Sequence, residues 1–235
     1  MYTIALDGPS GVGKTTTAKT LARLLGWGYL DTGAMYRAVA VGCMKQGCEQ
    51  ASEIAEFCRE MEVEISTDPD NPRITLGGED ITQAIRDPQT SAWVSKVSTN
   101  PACREDLVRR QQDIIASANL VAEGRDITTV VAKDAQVRVL LSADADERLA
   151  RRGAELGQKV SQEQLHDQVI RRDREDSTLV NFSEAADGVV AIDSTNMSLD
   201  EVVDAIMGLA TRAGITGGTN SCGHNHAPGS HQEES

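Results

Sequence analysis

The segment Gly8-Pro9-Ser10-Gly11-Val12-Gly13-Lys14-Thr15 fits G-x-x-x-x-G-K-[ST] at every fixed position. Residues of these types at this spacing bind polyphosphate. The glycines let consecutive backbone N–H groups turn inward on an anion, and a helix starting at the loop adds the positive end of its dipole. Lys14 is expected to reach the β- and γ-phosphates of a nucleotide, and the Thr15 hydroxyl to ligate Mg²⁺. Gly8 through Thr16 are therefore the candidate nucleotide contacts. The context agrees, because an apolar run (Tyr2 to Leu6) precedes the loop and a helical pattern follows it.

Such a loop names a phosphate donor and is silent on the acceptor. A second constellation opens at Asp31-Thr32-Gly33-Ala34-Met35-Tyr36-Arg37. Thr32 reads as a helix N-cap at the end of a strand, with Arg37 five residues on in the same helix, so that both can face a second anion. A capped helix with an ordinary surface arginine is the plainer account of this segment taken alone.

The elements that must position these residues alternate. Apolar strand-like runs cover Tyr2 to Leu6, Trp27 to Leu30, Leu120 to Glu123, Val137 to Leu141 and Val189 to Asp193. Helical spacing covers Lys14 to Leu25, Asp31 to about Lys45, Ala51 to Arg59, a stretch from Pro88, and Pro101 to Ser117. It returns at Asp144 to Leu156, Ser161 to Asp173 and Ser198 to Ala213. Strand–helix alternation predicts an α/β fold in which a parallel five-stranded P-loop sheet is flanked by helices. Its ligand belongs at the carboxyl ends of the strands, where Asp7, Asp31, Glu123 and Asp193 fall. Between Glu62 and Gly78 the pattern becomes a small antiparallel insert around the turn cluster Asp68-Pro69-Asp70-Asn71-Pro72.

Composition limits the partners. The 235 residues carry a formal charge of −13, which disfavours nucleic acid and anionic lipid. Arginine outnumbers lysine 17 to 6, with eleven arginines between Arg104 and Arg174, and its planar fork suits phosphate. Solvated helix faces account for the same clustering on composition alone. The five cysteines form no CxxC pair, as expected of reduced thiols in a cytosol. No basic leader precedes the first strand and no apolar run approaches the roughly 18 residues of a membrane span. A cytoplasmic protein is expected.

At this point the chain resembles the bacterial cytidylate (CMP) kinases, a branch of the nucleoside monophosphate kinases. The marks come in order: Gly8 to Thr15, Asp31 to Arg37, Gly78-Glu79-Asp80-Ile81, Ile85-Arg86, and Arg109-Arg110-Gln111. Then follow Glu123-Gly124-Arg125-Asp126-Ile127, Arg172-Asp173, Asp176-Ser177-Thr178 and Asp193-Ser194-Thr195. The resemblance implies transfer of the γ-phosphoryl group of ATP to CMP or dCMP with Mg²⁺, by a monomer. It implies an acceptor-phosphate grip of Thr32, Arg37 and Arg125, with Tyr36 as a wall. Ser95, Arg104 and Asp126 look like the cytosine readers. Arg172 and Asp176 resemble the pair near ribose and phosphate, and Lys14, Arg125 and Arg172 the catalytic cations. Arg148, Arg151 and Arg152 look like part of a helical lid over ATP, about residues 148–182. The segment at about 60–98 resembles a monophosphate-binding α+β lobe within a kinase domain of residues 1–215.

Two positions depart from the family pattern. Leu179 stands where a lid arginine is expected, leaving Arg171 or Arg174 as replacements, and Thr128 stands where glycine is common. Residues 216–235 are Gly, Ser, Asn, His and Glu with little to bury, a disordered tail. Its Cys222, His224, His226 and His231 match no closed zinc spacing. A regulatory GTPase would need N-K-x-D and D-x-x-G, and neither occurs. A kinase of another nucleoside monophosphate and a non-catalytic nucleotide-binding module remain as alternatives.

Overall fold

A computed structural model describes residues 1–156 and 184–215. Five parallel strands form the central sheet: β1 (Thr3–Asp7), β2 (Gly28–Asp31), β6 (Leu120–Gly124), β7 (Val137–Ser142) and β8 (Val190–Asp193), in the order β2-β6-β1-β7-β8. The central strand β1 is buried along its whole length, as a strand covered on both faces must be. Alternation along it sorts the two cores. Ile4 and Leu6 point into one with α1 (Lys14–Leu25) and α7 (Leu199–Arg212). Ala5 points into the other, with α2 (Thr32–Gln46), α3 (Ala51–Glu60), α4 (Pro88–Ser98) and α5 (Pro101–Ile115).

The helices end where local chemistry ends them. α1 buries Thr17, Ala18, Leu21, Ala22 and Leu25 on one stripe and stops at Gly26, whose N–H closes on the carbonyls of Ala22 and Arg23. α4 and α5 each begin with proline behind a side-chain cap, Asp87 and Asn100 respectively. For α2 the cap differs from expectation. Asp31 is the N-cap, its carboxylate accepting from the Ala34 N–H at 3.0 Å, and Thr32 is already inside the helix. Asp and Thr cap comparably well, and the Thr32 hydroxyl is drawn away to another strand.

The expected insert is a three-stranded antiparallel sheet of β3 (Val63–Ile65), β4 (Ile74–Leu76) and β5 (Glu79–Asp80). Ile74 of β4, with Ile81 and Ile85 from the chain just after the sheet, packs against Ala34, Ala38 and Val41 of α2. One feature had no counterpart in the periodicity: after β6 the chain makes a π-helical turn over Ile127–Val131. α6 (Ala145–Leu156) follows β7. The helix expected at Ser161 to Asp173, the residues Arg171, Arg172, Arg174, Asp176 and Leu179, and the tail cysteine and histidines lie outside the described residues. No helix among the described residues is long and apolar enough to cross a membrane.

Candidate functional site

The carboxyl ends of β1, β2 and β6 open into a cleft of about 570 Å³. Its floor is the loop between β1 and α1. Gly11 has φ +78°, and a Cβ there would stand 2.5 Å from the Arg148 carbonyl oxygen, so the loop and α6 pass too closely for any side chain. Lys14 Nζ donates to the carbonyls of Gly8 (2.8 Å) and Pro9 (2.9 Å), folding its ammonium back over the loop it follows. Ser10 through Thr17 line the cleft, with the α1 N-terminus pointing into it.

Beneath Lys14 lies a buried carboxylate. Glu123, 4% exposed at the end of β6, accepts from the Tyr29 hydroxyl at 2.5 Å. Burial pushes its carboxyl up, and the charge of Asp31 adds to the rise; Lys14 and the hydroxyls of Tyr29 and Thr15 oppose it. Burial likewise raises the Tyr29 phenol. Thr15 therefore sits among oxygen donors with a fixed cation beside them.

Another part of the cavity lining carries the second anion's candidates. Thr32, at the start of α2, donates its hydroxyl to the backbone carbonyl of Glu123 at 2.8 Å. That bond requires Gly124, where a Cβ would meet Thr32 Oγ1 at 2.5 Å and Ile127 Cδ1 at 2.7 Å. Arg37 swings back over the helix start, 3.7 Å from Asp31. Arg125 and Asp126 follow Gly124 into the cleft, and Arg104 of α5 meets Asp126 at 2.5 Å. Tyr36 forms part of the wall; its hydroxyl is buried without a hydrogen-bond partner among the described residues, and burial pushes the phenol up.

The fold thus brings Lys14, Thr15, Thr16, Thr32, Tyr36, Arg37, Arg104, Arg125 and Asp126 to one cavity, together with Arg151 and Arg152 of α6. Ser95 does not line it; Val94 and Ser98 of the same helix do. Arg148 donates to the Ser10 carbonyl at 3.1 Å. Arg151 braces the segment after β8, donating to the Ser194 carbonyl (2.8 Å) and hydroxyl (3.1 Å). The lining also includes Ser194, Met197, Ser198, Leu199 and Val202, to which the sequence had given no role. Only Asp193-Ser194-Thr195 among the quoted motifs pointed there.

Comparison with known proteins extends the geometry. The family model for cytidylate kinase matches residues 4–212. A cytidylate kinase from Cutibacterium acnes is 49% identical over 213 residues, spanning 88% of this chain and 94% of its own. One from Carboxydothermus hydrogenoformans is 40% identical over 215 residues, spanning 89% and 97%. Among solved structures, an uncharacterized protein from Eubacterium ventriosum aligns with a TM-score of 0.50 at 14% identity, over 90% of this chain and 98% of that one, a likeness of fold alone. The phosphate loop and the arginine-lined wall facing it are those of a chain that belongs to the cytidylate kinase family.

Proposed function

We infer that this chain transfers the γ-phosphoryl group of ATP to CMP or dCMP, giving ADP and the corresponding diphosphate. One observation carries the reading: the phosphate loop and the set Thr32, Arg37, Arg104, Arg125 and Asp126 line a single cavity. Phosphoryl transfer needs two anions in line, charge neutralised on the moving group, and water kept out. On this reading the loop N–H groups and Lys14 hold the donor phosphates, with Arg148, Arg151 and Arg152 beside them. Thr32, Arg37 and Arg125 grip the acceptor phosphate, Tyr36 walls the site, and Arg104 with Asp126 addresses the polar edge of cytosine. Ser98, one turn along α4 from Val94, lines the cavity and joins Ser95 as a candidate for that edge. Met197, Leu199 and Val202 supply an apolar wall for the donor base.

Mg²⁺ fits this donor set. It takes hard oxygen ligands, keeps several waters, and uses one or two protein oxygens beside the nucleotide phosphates. Thr15 would be that ligand here, next to the Glu123 carboxylate. No cluster of three or more potential metal-ligating side chains stands among the described residues, so the ion belongs with the nucleotide rather than with a protein cage. When bound it neutralises charge on the β- and γ-phosphates. No base is needed on the protein, and Asp126, already paired with Arg104, serves as a contact. On its family relationship we read the chain as a cytoplasmic monomer serving pyrimidine nucleotide metabolism.

The test is ADP release with Mg·ATP against CMP, dCMP, UMP, AMP, GMP and no acceptor. Turnover with CMP or dCMP well above the rest is expected. Preference for another monophosphate would overturn the roles of Arg104 and Asp126, and acceptor-independent ADP release alone would overturn the transfer reaction.

A further inference from the structure

Asp7 closes β1, immediately before the phosphate loop, and is 2% exposed. Its carboxylate takes three donors from one place. The Ile127 N–H donates to Oδ1 at 2.9 Å, and the Thr128 N–H (2.8 Å) and hydroxyl (2.6 Å) both donate to Oδ2. A buried carboxylate is costly unless satisfied in this way. Burial pushes the Asp7 carboxyl up, and these three donors oppose it.

The donors belong to the π-helical turn that follows Arg125 and Asp126 without a break. The Asp126 carbonyl accepts from the N–H groups of Val130 (2.8 Å) and Val131 (3.1 Å). Arg138 of β7 donates to the Thr128 carbonyl at 3.3 Å. Asp7 therefore joins two lengths of chain that must keep a set distance: the loop after β1, on its own next residue, and the turn carrying the acceptor-side arginine. Any residue at position 128 supplies an N–H there. Only a hydroxyl supplies the third bond, and a β-branched side chain narrows the backbone further. The glycine expected by resemblance would do neither.

We propose that Thr128 is a positioning residue for the transfer reaction, its hydroxyl clamping the acceptor turn to Asp7 so that Arg125 and Asp126 face the phosphate loop at a fixed separation. The proposal rests on the reading of Arg125 as an acceptor-phosphate contact. Misplacement of such groups by about 1 Å costs on the order of a hundredfold in rate, so a loosened clamp has a measurable effect without loss of fold.

Steady-state kinetics of Thr128→Val, Thr128→Gly and Thr128→Ser test it, with thermal melts alongside. Val and Gly remove the hydroxyl by different routes, so one remains informative if the other does not fold. Each is expected to raise KM for CMP by about fivefold or more and to lower kcat, with KM for ATP within about twofold of wild type. Thr128→Ser, which keeps the hydroxyl, is expected to restore KM for CMP. A purely structural contact would lower the melting temperature and leave KM for CMP at the wild-type value, and that result in either folded variant overturns the proposal. Arg125→Ala separates the two readings. If it raises KM for CMP while Thr128→Val does not, only the clamp fails; if Arg125→Ala also leaves KM unchanged, the acceptor contact fails and the clamp with it.

Discussion

Arg104 and Asp126 meet at 2.5 Å on the acceptor side of the cleft, with 23% and 8% of their side-chain surfaces exposed. Removing the arginine strands a nearly buried carboxylate. Arg104→Met is expected to destabilise the fold by about 2 kcal/mol and to raise KM for CMP by about tenfold or more. Urea denaturation and initial rates read the two effects separately. KM for ATP is expected to stay within error, because on the proposed reading the pair contacts the acceptor and not the donor nucleotide. An unchanged KM for CMP would remove the pair from base recognition and leave it a strut between α5 and the turn after β6.

Lys14 makes a cleaner case. Its hydrogen bonds to the Gly8 and Pro9 carbonyls are local to the loop, and the buried Glu123 carboxyl that it holds down can take up a proton once that charge is gone, so its loss should spare the fold. Lys14→Met is expected to lower kcat by about 10²–10³, the usual effect of removing one preorganised charge from a transferring group. Far-UV circular dichroism should match wild type. Retention of more than a tenth of the wild-type kcat would place the neutralising charge elsewhere, on the arginines of α6.

The phosphate loop was legible because its chemistry needs residues adjacent in sequence, and the sheet was legible because buried parallel strands are apolar runs separated by helical periods. Choices between near-equivalent neighbours were not legible. Asp31 and Thr32 are both good caps, and what decides between them is the Thr32 bond to the Glu123 carbonyl, ninety-one residues away. Val94 and Ser98 of α4 line the cleft, a facing that the helical period alone does not fix. The Asp7–Thr128 contact spans 121 residues, and a π-helical turn has no periodicity to announce it. Sequence order shows which groups are present near a site, while long-range packing settles which of two similar groups faces it.

Gly124 lies where the start of α2 and the turn after β6 pass close to each other. A methyl group there would lie 2.5 Å from Thr32 Oγ1 and 2.7 Å from Ile127 Cδ1. Neither neighbour yields easily, since Thr32 and Ile127 are both buried. Gly124→Ala is expected to cost about 1–3 kcal/mol through overpacking, with a fall in kcat/KM for CMP because Thr32 and Arg125 must move apart. Chemical denaturation and acceptor titration together check it. A neutral Gly124→Ala would show that the turn after β6 tolerates displacement.

The part of the cleft lining that we assign to the donor base hangs on the first turn of α7, and that turn is held by a capping box. Ser198 Oγ accepts from the Glu201 N–H at 3.3 Å, and Glu201 Oε2 accepts from the Ser198 N–H and hydroxyl, each at 2.8 Å. The Ser198 backbone N–H and then its hydroxyl hold the Glu201 carboxyl below its ordinary value of 4.5. A carboxylate whose folded pKa is depressed stabilises the fold above the unfolded pKa, and that contribution fades as pH falls through the folded value. Glu201→Ala should therefore melt below wild type at pH 7, with the difference shrinking as the pH drops under about 4.5 and lost once both states are protonated. At pH 7 the same variant is expected to raise KM for ATP, because Ser198, Leu199 and Val202 line the cleft from this turn, while KM for CMP stays put. A melting difference that persists in full at low pH would mean that the alanine acts through something other than the Glu201 charge, since only the charge-dependent part of the box is lost on protonation.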